Sequence, residues 1–304
     1  MMQNNKLNFA AIDVGSNAVR LLIKSVNAGD PPERLTKTVL LRVPLRLGEE
    51  VFSVGEISAS KKKQLLRTMK AFRQLMKVYD VESYRACATS AMRDAANGEK
   101  IVREIHNKTG IKLEIIDGQE EARMIYDSHI ADLLGHDGHY IYVDVGGGST
   151  EISLISQGNL VCSESYNIGT VRLLGGTVKK EDWETLHRDL SELSADYPDL
   201  KIIGSGGNIG KLYRLKGDKD DNCLKVSDLE KFYEELKEMS VEDRIRKYRF
   251  NPDRADVIVP AAEIFLDIAH RVHAEAIWVP AIGISDGIIH ALYMKYLAEE
   301  ECED

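Results

Sequence analysis

The sequence lacks long hydrophobic runs and has few cysteines. None of its apolar stretches reaches the roughly 18 residues of a membrane-spanning helix, so we expect no membrane span. The opening "MMQNNKLN" lacks the apolar core of a secretory signal and leads directly into a strand pattern. The four cysteines are scattered, without a CxxC or metal-ligand spacing. We therefore expect reduced thiols in a cytoplasmic protein.

An excess of basic residues is also absent. The chain has 40 Lys and Arg against 49 Asp and Glu, a formal net charge of −9, which argues against a nucleic-acid-binding protein. It does not exclude an anionic ligand, because local donors rather than net charge make such a site. The 304 residues, 43% of them hydrophobic, suffice for two domains, each with its own core.

Strand patterns and helix patterns alternate along the chain, which predicts an α/β protein. Predicted strands lie at 9–14, 20–26, 83–89, 111–116, 139–145, 151–156, 160–168, 200–208 and 276–281. Predicted helices lie at 58–79, 97–109, from 119 onward, and at 181–195, 227–239, 241–248, 253–272 and 285–299. The helix at 253–272 is expected to be interrupted near Pro260.

Two stretches share one plan of strand, aspartate, glycine-rich turn and strand. They are "AIDVGSNAVRLLI" at 11–23 and "VDVGGGSTEISLI" at 143–155. The repeat predicts two similar domains, 1–125 and 126–304, with a cleft between them as the site. The C-terminal helix, 287–304, is a candidate to join the first domain.

The two glycine turns are candidate phosphate-binding sites. Glycine has no Cβ, so its N–H group can approach an oxygen closely, and successive N–H groups bind anions. Neither turn matches the P-loop or the dinucleotide-binding pattern. The alternative is that both are only tight hairpin turns. The candidate phosphate-binding residues are Gly15, Ser16, Asn17, Gly146, Gly147, Gly148 and Ser149.

Acidic residues beside these turns are candidate metal ligands. Asp13 and Asp144 precede the turns, and Glu151 follows the second. A carboxylate beside a phosphate repels it unless a cation bridges the two, as Mg²⁺, or Mn²⁺ in its place, does. The alternative is that each aspartate only accepts backbone hydrogen bonds in its turn.

Arg93 is a further candidate ligand of phosphate, since its guanidinium presents a planar fork of donors just after a predicted strand. A surface ion pair with Asp94 or Glu99 is the alternative. A third glycine turn, "IIGSGGNIGKL" at 202–212, could contact a base, a sugar or a further phosphate through Lys211. It could equally be a turn alone.

Two adjacent glutamates are candidates for the general base. Asp117, followed three residues later by Glu120, has the pattern of a capping box at a helix start. Capping gives Glu120 a structural role and leaves Glu121 to accept a proton from an attacking water molecule. The sequence therefore favours Glu121.

These motifs together resemble the exopolyphosphatase / guanosine pentaphosphate phosphohydrolase family, within the sugar kinase, Hsp70 and actin superfamily. The matching segments occur in the family's order: "AAIDVGSNAVRLLI", "ATSAMRDAAN", "EIIDGQEEARMIY", "YVDVGGGSTEISLI" and "IIGSGGNI". The resemblance implies two ribonuclease-H-like (actin-like ATPase) domains with mixed sheets flanked by helices and the active site between them. It implies catalysis by Glu121, phosphate binding by both turns and Arg93, and metal binding by Asp144 and Glu151.

The implied reaction removes terminal orthophosphate from inorganic polyphosphate, or the 5′ γ-phosphate from guanosine pentaphosphate. Long family members carry an added helical domain that this sequence does not contain, so we expect short polyphosphate chains as substrates. A homodimer is implied by the resemblance alone. Two other functions remain open from the residues: a kinase or ATPase, and a sensor that binds nucleotide or polyphosphate without turnover.

Overall fold

Each of the two glycine turns joins the first two strands of a mixed β-sheet in a computed structural model, which describes residues 6–126, 138–217, 221–280 and 282–300. The strands are β1 (Lys6–Val14), β2 (Val19–Asn27), β3 (Thr36–Val43), β4 (Val81–Ala88), β5 (Leu113–Ile115), β6 (His139–Val145), β7 (Thr150–Ser156), β8 (Asn159–Tyr166), β9 (Lys201–Ser205), β10 (Cys223–Lys225) and β11 (Ala276–Trp278).

The helices lie between and after these strands, with one short 3₁₀ turn at Pro32–Arg34. They are α1 (Leu47–Val54), α2 (Ala59–Val78), α3 (Ser90–Asp94), α4 (Gly98–Thr109), α5 (Gly118–Ile125), α6 (Thr170–Leu174), α7 (Lys180–Asp196), α8 (Ile209–Leu215), α9 (Val226–Glu238), α10 (Val241–Tyr248), α11 (Pro252–Ala255), α12 (Ile258–Arg271) and α13 (Ile284–Glu300). Among the described residues, no helix is long and apolar enough to cross a lipid bilayer.

The chain divides into two compact units. The first comprises Met1–His129 with Gly283–Asp304, and the second comprises Ile130–Ile282. The final helix, α13, thus belongs to the first unit, where it packs against β1 and β4. The sequence repeat corresponds to the start of each unit's sheet.

The sheet of the first unit has the order β3-β2-β1-β4-β5, with β1, β2 and β3 antiparallel and β1, β4 and β5 parallel. Side chains alternate between its two faces. Ile12 and its neighbours on one face share a core with Phe72 of α2 and Ile105 of α4. On the other face, the ring centroid of Phe9 lies 5.5 Å from that of Tyr293 in α13. Both faces are covered, which explains why residues 9–14 of β1 are apolar apart from Asp13.

The sheet of the second unit repeats this arrangement and adds one strand. Its order is β10-β11-β9-β6-β7-β8, with β6, β7 and β8 antiparallel and β6, β9 and β11 parallel. The core face, including Ile141 and Val143, packs with Leu186 of α7, Leu212 of α8 and Phe265 of α12. Asp144 is therefore on the opposite face, at the end of β6.

Most predicted elements are present, with ends within one or two residues of the predicted ones. The prediction of a helix at 253–272 interrupted near Pro260 was wrong about the point of interruption. It is divided into α11 and α12, and Pro260 is the third residue of α12 rather than the point of interruption. The first four N–H groups of a helix have no partner within it, so a proline there costs little. The short helices α1, α3, α6 and α8 were not predicted because they are too short for a periodic pattern.

Candidate phosphate-binding and catalytic residues

The turn in the first unit is a four-residue hairpin connection, residues 15–18, between β1 and β2. The Gly15 N–H donates to the Ala18 carbonyl at 3.1 Å. The Ser16 carbonyl accepts from the Gly48 N–H at 2.8 Å, and the Asn17 carbonyl accepts from the Arg46 N–H at 2.9 Å. Both carbonyls therefore face the start of α1.

The turn in the second unit is closed by the same kind of backbone bond, and three of its carbonyls accept hydrogen bonds from α6. The Gly146 N–H donates to the Ser149 carbonyl at 2.9 Å. The Gly146 carbonyl accepts from the Thr170 N–H at 3.0 Å, and the Gly147 carbonyl accepts from the Val171 N–H at 2.8 Å. The next carbonyl along, that of Gly148, accepts from the Arg172 side chain at 2.7 Å. Three successive carbonyls thus face α6.

The direction of the carbonyls fixes the direction of the amides. In a trans peptide the C=O and the following N–H point to opposite sides, and no described peptide bond is cis. The N–H groups of Gly147, Gly148 and Ser149 therefore point away from α6. Successive amides directed to one side form an anion-binding arrangement. The hairpin interpretation is thus correct for the conformation of both turns, and it is compatible with phosphate binding.

Gly169 is a positioning residue that sequence reasoning missed. A Cβ at this position would lie 2.4 Å from the carbonyl carbon of Gly148 and 2.6 Å from that of Gly147. Its backbone is extended, with φ −143°, so the need for glycine comes from close packing rather than from an unusual conformation. The signal in the sequence is the lone glycine of "NIGTVR", just after β8.

The two units differ in the residue that faces the aspartate across the hairpin. In the first unit, Asp13 is opposite Arg20, and Arg20 Nη1 lies 2.5 Å from Asp13 Oδ2. In the second unit, Asp144 is opposite Glu151. Directly opposed like charges destabilise a sheet, with Cβ atoms about 5 Å apart. The second unit therefore places two carboxylates in register across its hairpin, whereas in the first unit Asp13 faces a guanidinium.

Glu151 is buried, with 2% of its surface exposed, and is held by hydroxyl groups. Its Oε1 accepts from Ser149 Oγ at 2.6 Å and from Ser165 Oγ at 3.0 Å. The Ser149 hydroxyl, predicted to bind phosphate, thus donates to Glu151. The backbone N–H of Ser149 is the group that is directed away from α6.

The donor set near Asp144 and Glu151 fits Mg²⁺. Within the described ranges, no three or more His, Cys, Asp or Glu side chains are grouped to hold a metal. Mg²⁺ does not need such a group, because it keeps several water molecules and binds through one or two carboxylates plus phosphate oxygens. Two opposed carboxylates on adjacent strands meet that requirement.

The two candidate glutamates of α5 have different surroundings. The Asp117 side chain accepts from the Glu120 N–H at 2.8 Å, as the capping pattern predicts. The Glu120 carboxylate does not close the box by returning to the Asp117 backbone but bonds Arg85 Nη2 at 2.6 Å. Glu121 is buried, with 6% of its surface exposed. The assignment of Glu120 to a structural contact is thus consistent with the structure, and Glu121 remains the predicted base.

Arg93 is half-buried at the end of α3. Its Nη1 donates to the carbonyl of Ile116 at 2.8 Å, which links α3 to the segment before α5. Nearby, the Ala91 N–H donates to Ser16 Oγ at 3.2 Å, so α3 also supports the first glycine turn. The neighbouring Ser90 is buried, and its hydroxyl has no hydrogen-bond partner among the described residues. Ser90 is a polar group that the sequence analysis did not single out.

The third glycine turn lies directly against the carboxylate of Asp144. Gly206 has φ +109°, and a Cβ there would lie 3.2 Å from Asp144 Oδ1. This position therefore requires glycine on both conformational and steric grounds. Lys211, on α8, is 5.4 Å from the centroid of the Phe250 ring.

Cys87 occupies the position beside Asp13 on β4 but does not fit a nucleophilic role. Burial raises the pKa of its thiol to about 12, and the nearby carboxylates of Glu114 and Asp13 add to this effect. The thiolate is the reactive form of cysteine. Cys87 is therefore neutral at ordinary pH, and water rather than a thiolate fits as the nucleophile.

The family model for the Ppx/GppA phosphatase family matches residues 23–295. The chain belongs to this family. The match includes residues of both units and four of the five motifs, whereas the first motif, 10–23, lies before it apart from Ile23, and it assigns the chain to the phosphatases.

Several proteins similar to the chain are named exopolyphosphatases. Exopolyphosphatase 1 of Mycobacterium tuberculosis (strain ATCC 25618 / H37Rv) is 25% identical over 303 residues, which covers 93% of this chain and 87% of the relative. Exopolyphosphatase 2 of the same strain is 32% identical over 169 residues, which covers 54% of this chain and 53% of the relative.

Solved structures of similar proteins confirm the predicted fold class. The Ppx/GppA family member of Aquifex aeolicus has a TM-score of 0.75 and 26% identity, covering 96% of this chain and 99% of that chain. An exopolyphosphatase from Cytophaga hutchinsonii ATCC 33406 has a TM-score of 0.82 and 22% identity, covering 94% of this chain and 97% of that chain. The chain thus has two mixed sheets flanked by helices, with the actin-like two-domain fold.

Proposed function

We propose that this protein is an exopolyphosphatase that releases terminal orthophosphate from inorganic polyphosphate by attack of water. One observation carries the proposal: three successive amides directed away from α6 stand next to a pair of opposed carboxylates. Amides bind phosphate oxygens, and opposed carboxylates favour the divalent cation that accompanies polyphosphate. The exopolyphosphatase relatives support polyphosphate over guanosine pentaphosphate as the substrate.

The turns and Arg93 are proposed to bind the phosphoryl group that is transferred. In phosphoryl transfer, negative charge is spread over the equatorial oxygens, so fixed donors aimed at them lower the barrier. The amides of Gly147, Gly148 and Ser149 are fixed by their carbonyl contacts to α6. The first turn and the Ser90 hydroxyl supply further donors in the first unit.

Glu121 is proposed to act as the general base. As a water oxygen bonds to the terminal phosphorus, the bond from phosphorus to the bridging oxygen breaks. Glu121 takes the proton of the attacking water, and the shortened polyphosphate leaves with the bridging oxygen as part of its new end. The products are orthophosphate and a chain shorter by one phosphate. A carboxylate within hydrogen-bond reach of the water is what this step requires.

Asp144 and Glu151 would hold a divalent cation, with Mg²⁺ or Mn²⁺ as the fitting ions. Such a cation neutralises phosphate oxygens and orients the chain. Asp13 was also predicted as a ligand. Its ion pair with Arg20 gives it a different proposed role, which is to fix that guanidinium beside the first turn. A homodimer remains part of the proposal on the basis of the family resemblance, and a cytoplasmic location on the basis of the scattered cysteines.

The pair of Asp144 with Glu151 and the pair of Asp13 with Arg20 give different expectations for metal binding. We expect Glu151→Gln to weaken Mg²⁺ binding at least about tenfold, because it removes one of two opposed carboxylates. Asp13→Asn is expected to change Mg²⁺ affinity less than about threefold, the small effect of removing a charge that already has a counter-ion. Calorimetric titration with Mg²⁺ measures both without substrate. Equal losses in the two variants would contradict this assignment.

The function is tested by orthophosphate release from polyphosphate of defined length in the presence of Mg²⁺. We expect a higher kcat/KM for polyphosphate than for guanosine pentaphosphate or ATP, and loss of turnover with EDTA. A higher kcat/KM for guanosine pentaphosphate would instead indicate a guanosine pentaphosphate phosphohydrolase. Calorimetric binding of polyphosphate without orthophosphate release would show a sensor and would overturn the proposal.

A further inference from the structure

Arg85 joins three elements of the first unit through one guanidinium. It extends from β4 and donates to Glu114 Oε2 on β5 from both Nε, at 3.0 Å, and Nη2, at 2.7 Å. The same Nη2 donates to Glu120 Oε1 on α5 at 2.6 Å. A guanidinium that bonds two carboxylates fixes their relative positions, which a lysine cannot do as rigidly.

Besides Arg85, the segment leading into α5 is held by the Ile116 N–H, which donates to the Ala88 carbonyl at 3.0 Å, and α5 packs against α13. The Asp117 side chain caps the Glu120 N–H at 2.8 Å, and the Ile116 carbonyl accepts from Arg93 at 2.8 Å. The cap fixes where the helix begins, whereas the contact of Arg85 with the Glu120 side chain restrains rotation of the first turn about the helix axis.

That rotation decides where Glu121 points. Adjacent residues on a helix are about 100° apart around its axis. Holding Glu120 on Arg85 therefore turns Glu121 to another side of α5, where it is buried. A rotation of about 10° would move a carboxyl group at the helix periphery by about 1 Å. A displacement of about 1 Å in a reacting group can cost about 100-fold in rate.

Charge supports the same conclusion. Glu114, Asp117, Glu120 and Glu121 are four acidic residues at or beside the start of α5, and Arg85 bonds two of them. Burial lowers the pKa of the Arg85 guanidinium, and its bonds to Glu114 and Glu120 more than offset this, so its charge is retained. Loss of that charge would remove the bridge between the Glu114 and Glu120 carboxylates.

We propose that Arg85 is a positioning residue for catalysis: by binding Glu114 and Glu120 together, it sets the rotation of α5 and so aims the carboxylate of Glu121. The proposal rests on the proposed role of Glu121 as base. It predicts an effect on turnover rather than on substrate binding, because Arg85 itself need not contact substrate.

The test compares Arg85→Gln, Arg85→Lys and Glu120→Gln with the unchanged protein. For Arg85→Gln we expect kcat on polyphosphate to fall between about 10-fold and 100-fold while KM changes less than about threefold. Arg85→Lys should recover part of the loss, since it keeps the charge. The double variant Arg85→Gln/Glu120→Gln should be no slower than Arg85→Gln alone, because both changes break one contact.

The matched control is Glu104→Gln. Glu104 is also one charged group that bonds two opposite charges, with its oxygens 3.0 Å from Lys62 Nζ and 2.5 Å from Lys108 Nζ. It joins α2 to α4 in the same unit and has no contact with α5 among the described interactions. We expect kcat to stay within about twofold of the unchanged protein, the scale of a surface ion pair.

Amide hydrogen exchange of residues 118–125 gives a readout that does not depend on the substrate. We expect exchange in this segment to be at least about tenfold faster in Arg85→Gln and unchanged in Glu104→Gln. If the unchanged protein does not hydrolyse polyphosphate, the proposed function fails. The exchange rates then remain as the test of whether Arg85 restrains α5. Unchanged exchange in α5, or additive losses in the double variant, would overturn the role of Arg85.

Discussion

Glu121→Gln is expected to lower kcat for orthophosphate release by at least about 100-fold, within the range for loss of a general base. Glutamine has nearly the shape of glutamate, so the buried position should keep its packing. KM for polyphosphate and the free energy of unfolding should therefore change little. Steady-state kinetics with a chemical denaturation curve measure all three quantities.

The pH dependence separates a general base from a merely structural carboxylate. A carboxylate accepts a proton only when it is ionised, so the kcat of the unchanged protein should fall at acidic pH. The residual activity of Glu121→Gln should lack this acidic limb. Glu120→Gln should retain it, because Glu120 bonds Arg85 rather than water. Turnover of Glu121→Gln within threefold of the original would reject Glu121 as base.

Gly169→Ala is expected to cause the second large loss. The added methyl carbon would lie 2.4 Å from the Gly148 backbone, so either the turn or the start of α6 must move. Overpacking of this kind costs about 1–3 kcal/mol of stability. A shift of about 1 Å in the phosphate-binding amides is worth up to about 100-fold in rate. We therefore expect a lower Tm and a kcat/KM reduced between about 10-fold and 100-fold.

Gly210→Ala is the matched control for this substitution. Gly210 lies in α8 of the same unit, and nothing stands within 4 Å of a Cβ at that position. Alanine there should stabilise the helix by up to about 1 kcal/mol and leave kcat/KM unchanged. Phosphate binding by Gly169→Ala, measured by calorimetry with orthophosphate, should weaken in parallel with kcat/KM. Affinity equal to that of the original protein would show that the turn does not need its contact with Gly169.

The predictable part of the fold follows from local patterns. Apolar residues recur in α2 at helical spacing, and Ser58 caps its first turn, as predicted, through a bond from the Lys61 N–H. The strands beside the two glycine turns were predicted from the apolar runs that flank each turn. Short elements such as α6 lacked such a pattern, because their position depends on the backbone of a distant turn.

The carbonyl contacts of residues 146–148 and the register of the hairpins could not be predicted in this way. The sequence contains Asp13, Arg20, Asp144 and Glu151 without stating which pairs face each other. Register decides that Asp13 is opposite an arginine and Asp144 is opposite a glutamate. This difference separates the proposed roles of the two aspartates, which the repeat alone made equivalent.

The sequence by itself determined the two glycine turns, the repeat that places them at the start of two similar sheets, and the choice of residue types suited to phosphate. These features could be predicted because each depends on residues that are close together in the chain. Only the tertiary structure decided the need for glycine at Gly169, the partner of Asp13 and the link from Arg85 to Glu120. The partner of Asp13 depends on the register of one hairpin, and the other two features depend on segments far apart in the chain. In all three, register and packing rather than local preference set the distances.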